Sequence, residues 1–282
     1  MKLTTTLTCR DHTSLLISEF SPENPPLGTI VIASAFGVNQ SFYWPMAEFF
    51  VKQGYKVLCF DYRGTGDNES LTREDFELSE WGTQDIEGVL RYAISKTDQV
   101  YFIGHSIGGQ LLALAPSSEQ LKSAVFVAAS APYWKRWPRL ADGLKIRVNI
   151  GFILPIVSRI YSPFPADKFG LGNQNLPSKA VQQWAKWMSK PNYLLDPSFG
   201  LDCSRFYSMQ IPILSYAFSD DALAPKENIN HLLRQFHEAD CELKLVKPKD
   251  VDAKHIGHTG MFKAKFESTL WKETFEFLTA HN

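Results

Sequence analysis

The sequence predicts an α/β fold on a mainly parallel central sheet, interrupted once by a segment of different character. Three observations carry that prediction. Short continuous apolar runs such as Thr29–Ala33, Tyr55–Phe60 and Ser123–Ala129 have the look of strands buried on both faces, and helical patterns separate them. The stretch from Gln99 to Gln110 reads as strand, sharp turn and helix, with Ser106 at the apex of Gly104-His-Ser-Ile-Gly108. The strand–helix rhythm then stops near Ala131 and resumes only after Gln210.

The elements follow in order. Leu3–Cys9 and Ser14–Phe20 alternate apolar and polar positions and pair through Arg10-Asp-His-Thr13. After the Thr29 run comes Ser34-Ala-Phe-Gly-Val38, then a helix from Tyr43 to Gln53 with Met46, Phe49 and Phe50 on one face. Gly54 stops it. The Tyr55 strand closes in Asp61-Tyr-Arg-Gly-Thr-Gly66, and Trp81–Ile94 forms the next helix. The glycines of that Asp61 turn fit neither a P-loop nor a dinucleotide fingerprint, so it reads as a tight turn. Beyond the interruption, Ile213–Phe218 and Glu242–Val246 are strands, while Lys226–Phe236 and Phe266–Thr279 are helices.

Composition narrows the functional classes. The chain has 282 residues and a net charge of −1, without the basic footprint of a nucleic-acid binder. Its four cysteines (9, 59, 203 and 241) have no metal-type spacing and suit reduced thiols in a cytoplasmic protein. The N-terminus is polar and alternating, unlike a signal peptide. The longest apolar stretch, Val148–Val157, is too short to span a bilayer and carries Asn149 and Pro155. No cofactor or metal is called for.

The segment from about 131 to 210 reads as a helical lid inserted between two strands, with residues 1–130 and 211–282 forming the core. Eight prolines divide it, and Trp134, Trp137, Trp184 and Trp187 concentrate in it. Val181, Trp184, Ala185 and Met188 share a helical stripe, which makes Trp184 the first candidate to line a substrate cavity, with Trp134, Trp137 and Trp187 behind it. Eleven Lys and Arg against four Asp and no Glu give the segment +7, leaving −8 elsewhere. That surplus reads as a solvated face or as attraction for an anionic substrate or a membrane surface.

Functional loops of an open parallel sheet gather at the carboxyl ends of its strands. Those loops offer Ser106, then Asp220 and Asp221, then His255 and His258. A serine hydroxyl needs a base to become a nucleophile, and the base needs a carboxylate to fix its tautomer. His105 reads as structural, and His12, His231, His237 and His281 as surface residues.

On these motifs the chain resembles the α/β-hydrolase superfamily over nearly its whole length. The resemblance rests on Gly104-His-Ser-Ile-Gly108, Asp61-Tyr-Arg-Gly-Thr-Gly66, Asp221-Ala-Leu-Ala-Pro225 and Gly257-His-Thr-Gly-Met-Phe262. It implies Ser106 as nucleophile, Asp221 as acid and His258 as base, with Asp220 a solvated turn residue. It also implies backbone oxyanion donors at Ile107 and Phe36, with Ala35 the rival of Phe36. Ser34-Ala35 stands where many family members carry His-Gly. The implied activity is hydrolysis of a small-molecule carboxylic ester or thioester through an acyl-enzyme, as in a carboxylesterase. Aminopeptidase, acyltransferase and carbon–carbon hydrolase chemistry use the same scaffold, and a non-catalytic binding protein is the reading from another class. A lid with no Glu and four Asp is poorly equipped for a peptide ammonium group.

Overall fold

The computed structural model describes residues 1–69 and 76–280, so His281 lies outside the described residues. The strands are β1 (Lys2–Thr8), β2 (Ser14–Phe20), β3 (Thr29–Ala33), β4 (Lys56–Phe60), β5 (Val100–His105), β6 (Ser123–Val127), β7 (Ile213–Phe218) and β8 (Cys241–Val246). They form one sheet in the order β1-β2-β4-β3-β5-β6-β7-β8, antiparallel from β1 to β4 and parallel from β4 onward. Every residue of β3, β5, β6 and β7 is buried, which is why these segments read as unbroken apolar runs.

The helices are α1 (Trp44–Lys52), α2 (Glu87–Ile94), α3 (Ile107–Leu111), α4 (Leu140–Val148), α5 (Leu154–Ile160), α6 (Ser178–Met188), α7 (Ser204–Ser208), α8 (Lys226–Leu233) and α9 (Lys272–Thr279). A wide-turned stretch, Trp81–Ile86, leads into α2, and another, Asn149–Ile153, joins α4 to α5 in one continuous rod. Helices α4 to α7 all fall between β6 and β7.

Register does the positioning. Ala33 at the end of β3 pairs with Gly104 at the end of β5, so the loop leaving β3 opens beside the Ser106 turn. The Asp61–Gly66 turn then pins that loop from the next strand. Tyr62 Oη donates to Ser34 O at 3.2 Å, and Ser34 Oγ donates to Phe60 O at 3.1 Å. Asp61 accepts from the Gln40 amide at 2.9 Å and from Asn39 Nδ2 at 3.1 Å. Burial outweighs those donors and pushes the Asp61 carboxyl up to about 6. Arg63 is buried and contacts Asp85 at 2.7 Å, Asp11 at 2.6 Å and Glu80 at 2.9 Å, tying the turn to the start of the α2 region. A buried guanidinium requires such partners, because alone its charge would be severely desolvated.

The α4–α7 segment is fastened to the core at several points. Trp137 Nε1 donates to Ala222 O at 3.1 Å, Tyr193 Oη donates to Gln110 on α3 at 2.7 Å, and the Asn173 amide donates to Gly37 O at 2.8 Å.

Candidate active site

Ser106 sits between β5 and α3 with φ 50° and ψ −112°, a strained conformation for a residue with a side chain. The strain is fixed by close packing on both sides. A Cβ at Gly104 would collide with the Gly109 backbone, and one at Gly108 with Ala33 O. Glycine at both places lets the strand and helix approach closely enough to force the turn.

Asp221 follows β7 and is buried. Its Oδ1 accepts from the Leu223 amide at 2.8 Å and the Ala224 amide at 3.2 Å, while its Oδ2 faces His258 Nδ1 at 2.7 Å. A carboxylate so placed holds the Nδ1–H tautomer of His258 and leaves Nε2 as the free base. Ser106 and His258 line one cavity of about 320 Å³. Among the described residues Ser106 Oγ has no hydrogen-bond partner.

Asp220 is more than a solvated turn residue. Its Oδ2 accepts from the Ile256 amide at 2.9 Å and its Oδ1 from the Gly257 amide at 3.1 Å, and His255 Nδ1 lies 2.6 Å from the same Oδ2. Partial burial acts to raise the Asp220 carboxyl, but these amides and His255 hold it below its ordinary range. The two neighbouring aspartates thus grip one loop at successive points. Asp220 holds its backbone and Asp221 holds the His258 ring. His255 is exposed and lies outside the cavity lining.

His105 completes a buried chain of hydrogen bonds. Its Nε2 meets the His258 carbonyl at 2.9 Å, so Nε2 carries the proton, because a carbonyl can only accept. Burial and the neighbouring His258 push the His105 ring well below the usual histidine range. A neutral ring leaves Nδ1 bare, and Tyr43 Oη donates to it at 2.8 Å. The Ala35 amide in turn donates to Tyr43 Oη at 2.8 Å. One Tyr–His pair therefore ties the β3 loop, the serine turn and the backbone of His258 together.

The same chain bears on the oxyanion donors. The Ala35 N–H is occupied by Tyr43, whereas the Phe36 and Ile107 N–H groups meet no backbone or side-chain acceptor among the described residues.

Of the four tryptophans, Trp137 and Trp184 line the cavity. Trp187 does not. It lies about 60° round α6 from Trp184, off the edge of the stripe, and is fully buried against Tyr193 and Phe199. Trp134 is also outside the lining and packs instead under the Arg147 guanidinium, 4.8 Å from the ring centroid. Ile146, Asn149, Ile150, Leu154, Leu171 and Met188 join the lining, and among the described residues no Lys, Arg, Asp or Glu does. His231 is half-buried rather than superficial. Burial and nearby Arg136 push its ring down.

The comparisons with known proteins agree with this architecture. The description "Alpha/beta hydrolase family" matches residues 30–262, most of the chain. The chain belongs to that family. A relative from Escherichia coli O6:H1, named "Putative carbamate hydrolase RutD", is 27% identical over 76% of this chain and 78% of its own length. Its namesake from Shigella flexneri serotype X is 29% identical, over only 35% of this chain and 36% of its own length. A solved structure described as DcsB in complex with its substrate analogue superposes over all of both chains, with TM-score 0.70 and 14% identity. An esterase from Pyrococcus furiosus matches all of this chain and 91% of its own, with TM-score 0.66 and 16% identity. The esterase EaEST from Exiguobacterium antarcticum matches 98% of this chain and 99% of its own, with TM-score 0.65 and 15% identity. At such identities the structural likeness speaks for the fold.

Two contributions escaped the sequence reading, Asp220 as a loop anchor and Tyr43 as the partner of His105. Asp220 had a signal in its place beside Asp221. Tyr43 had none, since it lies 62 residues from His105 in the chain.

Proposed function

We propose that this α/β-hydrolase family member is a serine hydrolase that cleaves a neutral carboxylic ester or thioester. Ser106 Oγ attacks the acyl carbon while His258 Nε2 takes its proton. Asp221 stabilises the imidazolium, and the Phe36 and Ile107 N–H groups receive the developing oxyanion. Collapse of the tetrahedral intermediate breaks the acyl–oxygen or acyl–sulfur bond, with His258 returning the proton to the leaving group. Water, deprotonated by His258, then attacks the acyl-enzyme and releases the acid and Ser106.

The observation that carries this reading is the shared cavity, in which the strained Ser106 turn and the Asp221-bound His258 meet. A lining of Phe36, Val38, Ile146, Ile150, Leu154 and Trp184, with no charged Lys, Arg, Asp or Glu among the described residues, favours an apolar acyl or alcohol group over an anionic one. The same triad geometry suits a carbamate carbonyl, the bond named in the E. coli relative, and the apolar lining selects among carbamates just as it selects among esters. The segment from 131 to 210 acts as the lid that roofs this cavity.

Ser106→Ala and a fluorophosphonate probe test the proposal. The wild-type protein should be labelled and should hydrolyse p-nitrophenyl butyrate. The folded variant should take no label and lose kcat on the order of a million-fold. Substantial turnover by folded Ser106→Ala would refute the assignment.

A further inference from the structure

The rod formed by α4, Asn149–Ile153 and α5 has two apolar sides, and only one is accounted for by the cavity. Ile146, Ile150 and Leu154 face inward and line it. On the outer side Leu140, Leu144, Val148, Phe152, Ile156 and Ile160 follow one another at intervals of four and are 44–72% exposed. A row with four-residue spacing drifts around an ordinary α-helix, which completes a turn in 3.6 residues. The wide turn at Asn149–Ile153 holds more residues per turn and offsets part of that drift, and all six side chains are exposed to solvent.

A surface helix of a protein that stands alone in water carries polar residues on its outer face. Here the outer face is an apolar ridge more than five helical turns long. Its charges are Lys145, Arg147 and Arg159, with Arg139 at its N-terminal cap, all exposed, against the single half-buried Asp142, for a net +3 over residues 139–160. Apolar side chains flanked by basic ones match the acyl boundary and headgroup layer of an anionic bilayer. A second copy of the chain docking through the same ridge would set +3 against +3, which charge complementarity disfavours.

We infer that the outer face of residues 140–160 docks on an anionic lipid surface, with Phe152 and Ile156 at the centre of the contact. The contact places the roof of the cavity in the headgroup layer. It requires no chemistry of Ser106, so it stands or falls separately from the hydrolase reading.

The test is co-sedimentation of the full chain with phosphatidylcholine vesicles, with and without phosphatidylglycerol. Light scattering of the protein alone and hydrolysis of a soluble p-nitrophenyl ester are measured in parallel. Wild type should be monomeric and should bind the phosphatidylglycerol vesicles. Each basic residue at the surface is worth about fivefold in partitioning, so phosphatidylcholine alone should bind on the order of a hundredfold more weakly. Phe152→Ser with Ile156→Ser removes two apolar anchors and should lower partitioning by roughly a hundredfold or more. Its turnover of the soluble ester should be unchanged, since neither residue lines the cavity. Lys145→Glu with Arg159→Glu provides an independent variant, which should abolish the preference for the anionic vesicles. The inference is overturned if wild type sediments with neither vesicle, or binds both equally. It is also overturned if wild type forms a dimer that Phe152→Ser with Ile156→Ser dissolves, because a second copy then covers the ridge.

Discussion

Replacing Tyr43 by Phe removes one oxygen and breaks two contacts at once. The Ala35 N–H loses its acceptor and His105 Nδ1 loses its donor, and both partners are buried. Tyr43 itself is fully buried, and water has no ready path to replace the hydroxyl. Leaving a buried polar group unpaired costs about 1–3 kcal/mol, so the pair should cost about 2–6 kcal/mol of folding stability. Ordinary domains have about 5–15 kcal/mol, and the variant should still fold. The effect on turnover follows from what the broken chain had held. The Ala35 N–H becomes free to reorient the loop carrying Phe36, and His105 loses one of the two bonds that fix its hold on the His258 carbonyl. Misplacing catalytic groups by about an ångström costs on the order of a hundredfold, so kcat should fall about ten- to hundredfold with little change in KM. Guanidinium unfolding and p-nitrophenyl butyrate kinetics read the two effects separately. Phe50→Leu, a buried change against Phe275, supplies a control that lowers stability without touching the chain. A folded Tyr43→Phe protein with kcat within about twofold of the Phe50→Leu control would refute the positioning role and leave Tyr43 as packing alone.

The remaining predictions concern the acid–base loop, the lining and the pH response. Asp220→Ala should lower kcat by about tenfold or more through loss of its two amide contacts, while His255→Ala should leave kcat nearly unchanged; the reverse order in p-nitrophenyl butyrate kinetics would show the loop to be read out of register. Trp184→Leu enlarges the lining and should move the preferred acyl length upward across a p-nitrophenyl ester series, and an unchanged preference would remove Trp184 from specificity. Stability should respond to two buried groups of opposite sign. His105 is depressed in the folded protein, so its contribution is present above the ordinary histidine range and is lost as pH falls through it, by up to about 1.4 kcal/mol per pH unit. Asp61 is raised to about 6, so its contribution is present under acid conditions and is lost as pH rises through that value. Guanidinium midpoints taken from about pH 5 to 8 should therefore fall more steeply on acidification in Asp61→Asn than in wild type, and identical slopes would count against the coupling.

What the sequence disclosed and what it withheld divide along one physical line. The apolar runs, the Gly104–Gly108 turn and the Asp221 and His258 loops were legible because each is a local pattern: burial on both faces, glycine at a forced approach, or a residue at a fixed spacing from Pro225 or Gly257. Which of the Phe36 and Ala35 amides stays free was not a local matter. Both amides sit in one loop, and they differ in that a tyrosine from α1's approach captures the second. The same limit explains Trp187. Its spacing in α6 was plain, but the side of the helix that meets the cavity depends on where Tyr193 and Phe199 pack. The outer ridge of α4 and α5 was half legible for a similar reason. The sequence displayed an apolar stretch too short to span a bilayer. Only the fold assigns Ile150 and Leu154 to the cavity and Phe152 and Ile156 to the exterior. A helix apolar on both sides is explained only when each side has something to cover it, and the cavity covers one.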